Sequence, residues 1–363
     1  MFIERTYYFA KPGKAAEVLE IRREACRVRV AIGLKAGIVH VRAPHADASQ
    51  PDVTWEAQFD SREEHEADLE ARADNPAFEA CRARQRDALA RFERYFFALT
   101  PTELVNGMAD TSLRGHAIAP REMSFRSGAA TLKGYLHLPP GPGPFPCLIT
   151  NHGSTVAQGS LDMSRPGVAA QLMSWGVASF LPHRRGYGNS PGQPWREEVS
   201  AAPGTSDYDR QLAARLDAES DDILAALDFV TGLPEIRADH IGAMGSSFGG
   251  VTTLLAAAKS DRFRCAVEFA GAAMNWEKAP SLREAMLAAA RSAVPPIFFI
   301  QAENDYSTAP TRALSEARRA AGKEVRTMLY PPFGANEEEG HLLERTGPIV
   351  WAGDVRRFLE RFL

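Results

Sequence analysis

The sequence predicts a two-part chain: a small α+β unit over residues 1–100, a linker over 101–120, and a larger α/β unit with a mostly parallel sheet over 121–363. Three observations carry that prediction. From Arg121 onward, short apolar runs alternate with helical segments, the pattern of βαβ units whose sheet carries helices on both faces. Runs such as PIFFI at 296–300 are apolar without alternation, as strands buried on both sides must be. The first hundred residues instead run strand, helix, two strands, helix, strand, and end at Thr100-Pro101, where the chain turns polar and irregular.

Taken in order, Ile3–Phe9 (IERTYYF) is rich in β-branched and aromatic residues and stops at the turn signal Lys11-Pro12-Gly13. Residues 14–31 place Val18, Ile21, Ala25 and Val28 three or four apart, a helical spacing. Two strands follow, Gly37–Arg42 and Val53–Phe59, around the loop APHADASQPD. Ser61 opens SREE, a capping-box pattern for the next helix, which breaks near Asn75-Pro76 and resumes over about Ala77–Arg91. Arg94–Leu99 reads as the last strand of this unit. Large apolar residues stand at alternate positions on both faces of these strands. Tyr7 and Phe9 lie on one register and Phe2 and Tyr8 on the other, so a partner surface for the uncovered face is expected.

Beyond the linker, Met123–Arg126 and Thr131–His137 suggest a hairpin, followed by the loop PPGPGPFP. Strands are then expected at Cys147–Thr150, Val177–Leu181, Ile241–Met244, Cys265–Phe269, Ile297–Ile300 and Arg326–Leu329.

A formal net charge of -4 argues against a nucleic-acid partner, which asks for a basic face. There is no run of 18 apolar residues, so no membrane-spanning helix is expected. The start MFIERTYYFAKPGK does not read as a signal peptide. Cys26, Cys81, Cys147 and Cys265 are widely spaced, form no CxxC pair, and read as free thiols of a cytoplasmic protein.

Gly245-Ser246-Ser247-Phe248-Gly249 matches G-x-S-x-G between the apolar run IGAM and the helix-compatible GGVTTLLAAAK. That strand–turn–helix setting is what the pattern needs to lift a serine hydroxyl above a helix N-terminus. Ser247 is the expected nucleophile. Ser246 competes but lacks a glycine two positions before it. A serine needs a base to take its proton and a carboxylate to hold that base. In this architecture the order is Ser, acid, His, and His341 is the only histidine after Ser247. It sits in EEEGHLLE, expected to be a loop, with Glu337, Glu338 and Glu339 as a solvated rim. Asp305, in AENDYST after the strand IFFIQ, is the favoured acid, with Glu303 as its competitor.

Asn151-His152-Gly153-Ser154 follows the strand CLIT, so the Ser154 N–H, with that of Phe248, is expected to form the oxyanion hole. His152, Gly153 and Tyr187 are expected near the substrate. Tyr187 lies in HRRGYG (183–188), a loop that either shapes the pocket wall or serves for ion pairing through Arg184 and Arg185.

Together NHGS, PHRRGYGNSPG, GSSFGG, QAEND and the YPPFG…GH tail resemble the α/β-hydrolase superfamily, and within it the dienelactone-hydrolase-like and prolyl-oligopeptidase-like serine hydrolases, over about Arg121–Leu363. The resemblance implies two-step acyl transfer on a small-molecule ester, with neither metal nor organic cofactor. A peptidase or amidase is the alternative. Dienelactone hydrolases use a cysteine where this chain has Ser247, which speaks against that substrate. The first hundred residues, through TWEAQFDSREE and the aromatic last strand, resemble a NIPSNAP-like dimeric α/β-barrel module of ferredoxin-like topology. This implies a homodimer through residues 1–100. A different class of reading makes that module an oxygenase-like or ligand-binding protein. His40 and His65, its strand and helix histidines, are expected at ordinary surface positions and not as ligands.

Overall fold

The computed structural model describes residues 2–44, 46–47, 49–73, 75–98 and 111–363. The chain divides into two compact units, Met1–Thr102 and Glu103–Leu363. Most of the expected linker, residues 101–110, lies outside the described residues, as does Leu99 at the end of the expected last strand. Residues 111–120 form neither helix nor strand.

The first unit runs β1 (Phe2–Ala10), α1 (Ala15–Ala31), β2 (Ile38–Val41), β3 (Val53–Phe59), α2 (Arg62–Ala73), α3 (Pro76–Ala88) and β4 (Leu89–Ala98). Its antiparallel sheet has the order β2-β3-β1-β4, the ferredoxin-like arrangement. Asn75 separates the two helices: its side chain accepts the Phe78 N–H at 2.9 Å, and Pro76 follows where a missing N–H costs nothing. The last helix ends at Ala88, not near Arg91, because Leu89–Phe92 pair with β1 and extend the edge strand.

One face of this sheet is covered. Tyr8, Val53, Trp55, Ala57 and Phe59 pack with Val18, Ile21 and Phe78 from the helices. The opposite face is mixed: Ile3, Arg5 and Tyr7 of β1 stand opposite Phe97, Tyr95 and Glu93 of β4, and β2 adds Ile38 and His40. On β3 it carries Thr54, Glu56 and Gln58, so the expectation of two apolar faces fails there.

The second unit begins with β5 (Arg121–Ser127), β6 (Ala130–His137), β7 (Phe145–Asn151), α4 (Pro166–Met173), β8 (Ala178–His183), α5 (Trp195–Glu198) and α6 (Ser206–Thr231). It continues with β9 (Ile236–Ser246), α7 (Phe248–Lys259), β10 (Ala266–Phe269), α8 (Pro280–Ser292), β11 (Ile297–Ala302), α9 (Ala309–Ala320) and β12 (Val325–Tyr330). Two short helices, α10 (Glu337–His341) and α11 (Leu343–Thr346), lead into α12 (Pro348–Phe362).

Eight strands form one sheet in the order β12-β11-β10-β9-β7-β8-β6-β5. It is parallel from β12 to β8 and antiparallel at the β6–β5 hairpin edge. Alternate residues of β11 show why its run is continuously apolar. Phe298 and Ile300 pack with Trp351 and Phe358 of α12, whereas Ile297 and Phe299 pack with Leu282 and Leu314 of α8 and α9. The four cysteines are free, and burial pushes the Cys147 and Cys265 thiols up to about 12. No described helix is long and apolar enough to cross a membrane.

Candidate active site

Parallel order places the ends of β7, β9, β10 and β11 side by side, so the loops that follow them share one edge of the sheet. The residues singled out in the sequence follow three of those ends: Ser247 after β9, the 152–154 loop after β7, and Asp305 after β11.

Ser247 has φ 58° and ψ -123°, a conformation a side-chain-bearing residue rarely adopts. Its N–H is held by the Phe269 carbonyl at 2.9 Å, and its own carbonyl accepts the Val251 N–H at 3.0 Å. The strain is thus fixed by the neighbouring strand on one side and the first turn of α7 on the other. Ser246, by contrast, is still part of β9 and lies opposite Phe269.

The flanking glycines are required by contact. A Cβ on Gly245 would meet the Gly249 carbonyl oxygen at 2.3 Å, and one on Gly249 would meet the Asn151 carbonyl oxygen at 2.0 Å. The start of α7 therefore lies directly against the loop after β7. In that loop a Cβ on Gly153 would stand 3.3 Å from the Ser247 Cβ, so Gly153 borders the serine. Ser154 next to it is half-buried.

His341 and Asp305 are brought together. His341 Nδ1 lies 2.9 Å from Asp305 Oδ1 and 3.1 Å from Oδ2. Asp305 is fixed from two further sides, accepting the Gln301 amide at 2.8 Å and the Tyr306 N–H at 2.7 Å. Glu303 is exposed, and its N–H bonds the Tyr330 carbonyl, so its side chain belongs to the rim. His341 lies at the end of helix α10, not in a loop, because Asn336 caps that helix through the Glu339 N–H at 2.9 Å. His341 Nε2, the nitrogen turned away from Asp305, is buried and makes no hydrogen bond, to Ser247 or to any other described residue. In sites of this kind the serine–histidine bond often tightens only once substrate is present.

Two residues of this arrangement escaped the sequence reading. Gln301 is the first, the penultimate residue of β11 and four positions before Asp305. Asn304 is the second: it bonds the Phe333 N–H and carbonyl at 2.8 and 3.1 Å and the Asn336 carbonyl at 2.8 Å, pinning the segment that carries His341. Their only trace in the sequence is their place inside QAEND.

His152 and Tyr187, expected beside the substrate, are instead packed beneath the loop. They are 0% and 2% exposed, with ring centroids 4.7 Å apart. His152 Nδ1 lies 2.7 Å from the Gly153 carbonyl oxygen, and burial, reinforced by the Arg184 charge, holds its imidazole well below the usual range and neutral. The reason is the ion-pair layer under HRRGYG. Arg184 donates to Glu219 at 2.7 Å and to the His152 carbonyl at 2.8 Å, and Arg185 is forked onto Asp222. Arg215 joins Glu219 from α6 at 2.7 Å and also pairs with Glu198. Both arginines are tied into this layer, and Arg184 through it holds the backbone carbonyl of His152.

One more group lies close. Glu268, on β10, is 1% exposed and accepts the Gly271 N–H. Burial, with a smaller push from the Asp305 charge, drives its carboxyl up to about 8. In the first unit, His65 proves to be buried and paired with Glu4 at 2.8 Å, a correction to its expected surface place. No set of three His, Cys, Asp or Glu residues able to hold a metal occurs among the described residues.

Residues 166–285 match the prolyl oligopeptidase family. A stretch of 122 residues is 31% identical to acyltransferase drtE of Aspergillus calidoustus, covering 34% of this chain and 33% of that protein. Among solved structures, the acylaminoacyl peptidase of Pyrococcus horikoshii superposes with a TM-score of 0.50 at 20% identity, covering 67% of this chain and 41% of its own. Est1E of Butyrivibrio proteoclasticus, solved with ferulic acid bound, gives 0.50 at 20% identity over 66% of this chain and 98% of its own. The chain thus spans about a third of the curated relative and less than half of the peptidase.

Proposed function

The chain has the α/β-hydrolase fold, and on that premise we propose that it is a serine hydrolase cleaving small carboxylic esters through an acyl-enzyme on Ser247. The observation that carries this reading is a strained serine at the strand–helix turn, with a histidine locked onto a buried carboxylate on the same sheet edge. Asp305 accepts from Nδ1 of His341, which leaves Nε2 unprotonated and free to take the Ser247 hydroxyl proton. The Ser247 Oγ attacks the ester carbonyl carbon. The N–H groups of Ser154 and Phe248 stabilise the oxyanion, with the N-terminus of α7 adding its dipole. Collapse breaks the C–O bond, His341 returns the proton to the departing alcohol, and water repeats the cycle to release the acid.

A second reading shares the same acyl-enzyme and differs in the acceptor. The likeness to an acyltransferase favours passing the acyl group to an alcohol. Peptide cleavage is the third, favoured by the match to the prolyl oligopeptidase family. A fluorophosphonate probe should label wild type at Ser247 and leave Ser247→Ala unlabelled. A panel of p-nitrophenyl esters and aminoacyl arylamides, run with and without an added alcohol, then separates the three. Labelling that survives in Ser247→Ala, or is lost instead in Ser246→Ala, rejects the assignment.

We further propose that the chain pairs with a second copy of itself through the uncovered face of its first sheet, where Tyr95 and Phe97 are 46% and 41% exposed. Light scattering should give twice the chain mass for wild type and the single mass for Phe97→Asp. A monomeric wild type at micromolar concentration refutes it.

A further inference from the structure

The first unit contains a half-open cavity that the hydrolase reading does not use. A cavity of about 360 Å³ lies between the covered face of the sheet and the helices above it. That volume falls within the range of small-molecule sites. Its floor is the middle of β1, where Thr6 sits between Trp55 of β3 and Arg94 of β4. Its roof is made by Arg22 of α1, Arg72 of α2 and Gln85 of α3.

The polar groups of this cavity are incompletely satisfied, mostly on the donor side; Glu4 Oε1 is a buried acceptor likewise without a hydrogen bond, though Arg94 Nε stands 3.0 Å from it. Thr6 Oγ1, Arg22 Nε, Arg72 Nη2 and Gln85 Nε2 are buried with no hydrogen-bond partner. Their residues are 1%, 4%, 8% and 8% exposed. The three nitrogens can only donate, and the hydroxyl can. Leaving such groups unmet is costly, so an occupant with acceptor oxygens fits.

Charge points the same way. Among the described residues Glu4 is the only carboxylate in the lining, and it is already taken by His65 at 2.8 Å and Arg94 at 3.0 Å. Arg72 pairs with Asp68 through Nε at 3.1 Å, and its Nη2 stands 3.6 Å from Glu4 Oε2, too far for a hydrogen bond. Arg22 has no carboxylate partner among the described residues. Its Nη1 meets the Tyr8 hydroxyl at 3.2 Å, and its guanidinium lies 4.6 Å from the Trp55 ring centroid. A buried guanidinium without a counter-ion is costly, and elsewhere in this chain buried arginines are paired with carboxylates or saturated by carbonyls. The rest of the wall combines apolar residues such as Leu69 and Phe78 with Arg82 and Arg86, both of which pair with Glu79.

We propose that the first unit binds a small carboxylate with an apolar body in this cavity, its oxygens taken by Arg22, Arg72, Thr6 and Gln85 and its body lying against Trp55 and Tyr8. The binding is independent of Ser247 and of whether the second unit hydrolyses esters.

Calorimetric titration of the full chain with benzoate and hexanoate, against benzamide and hexanamide, tests it. At least one carboxylate should saturate at one site per chain, and its amide should bind at least ten-fold more weakly. Arg22→Gln should weaken the carboxylate at least ten-fold, Arg22→Lys should restore part of the loss, and neither should change turnover of p-nitrophenyl acetate. Should Arg22→Gln fail to fold, Thr6→Val keeps every charge and should weaken binding several-fold. The proposal is overturned if neither carboxylate saturates, if amide and acid bind alike, or if the folded variants bind as wild type does.

Discussion

The two sheets of this chain solve the same burial problem differently. In the second unit, β8 and β11 are buried along their whole lengths, because helices cover both faces. In the first, β1 buries only Glu4, Thr6 and Tyr8 of its alternating residues, because helices cover one face. A sheet covered on both sides can hold its loops rigidly, and the ion-pair layer of Arg184, Arg215 and Glu219 completes that rigidity. The sheet covered on one side is thinner, and under its helices it keeps a cavity and an arginine without a carboxylate partner. The chemistry proposed for Ser247, which needs fixed geometry, falls in the second unit, and the proposed carboxylate occupant falls in the first.

The largest effect expected from breaking this contrast is on turnover. Asp305→Asn should lower kcat for an ester by a factor on the order of 10⁴, since an amide cannot hold His341 in the tautomer it needs. Glu303→Gln should be nearly silent, because Glu303 is exposed. Steady-state kinetics on the two variants decides this. A silent Asp305→Asn with an inactive Glu303→Gln would exchange their roles.

Next in size is the ion-pair layer. Glu219→Ala leaves both Arg184 and Arg215 buried without their shared carboxylate, which should cost about 3–5 kcal/mol. Glu17→Ala, which breaks the exposed Lys14–Glu17 pair of the first unit, should cost less than about 1 kcal/mol. Urea unfolding measures both. Equal losses would mean that the second unit's rigidity does not rest on this layer.

The sequence made the second unit more legible than the first, for a physical reason. A strand buried on both faces must be apolar throughout, and the G-x-S-x-G turn tolerates no Cβ at Gly245 or Gly249, so both leave a local signature. Asp305 and His341, which the fold brings into contact, were legible through chain order alone. What holds them was not: Gln301 and Asn304 act on neighbours that only the fold brings close. Tyr187 and His152 were misplaced because a loop's sequence does not say which of its side chains turn inward. In the first unit, alternation showed the strands but not which face the helices cover. The cavity went unread because Thr6, Arg22, Arg72 and Gln85 come from four separate elements.

Two buried glutamates sharpen the contrast further. Glu4 of the first unit is 0% exposed but lies among His65, Arg72 and Arg94. Glu268 of the second is 1% exposed with no cation paired to it, and its carboxyl is driven up to about 8. A folded pKa above the unfolded value means the folded chain holds its proton longer. That contribution to stability is complete below the unfolded pKa of about 4.3 and fades as pH rises through about 8. Across that window the slope approaches ~1.4 kcal/mol per pH unit. Glu268→Gln should therefore gain on wild type as pH goes from 6 to 9. A difference in urea midpoint that does not change with pH would show that Glu268 is ionised throughout.

The smallest effect concerns the helix caps, where the two units use the same device. Asn75 accepts the Phe78 N–H at 2.9 Å to start α3, and Thr205 accepts the Tyr208 N–H at 3.2 Å to start α6. Removing either side chain should cost about 1 kcal/mol. The consequences should differ because the helices are covered differently. The long α6 buries residues along its length, from Leu212 to Val230, so its first turn can fray while packing holds the rest. The shorter α3 has only Phe78, Cys81, Gln85 and Ala88 buried, and three of these, Phe78, Cys81 and Gln85, line the cavity. Hydrogen exchange should therefore speed up along the whole of α3 in Asn75→Ala, but only over the first turn of α6 in Thr205→Ala. Exchange confined to the first turn in both would show that the roof of the cavity is as firmly packed as the second unit, and that its open space does not loosen the helices above it.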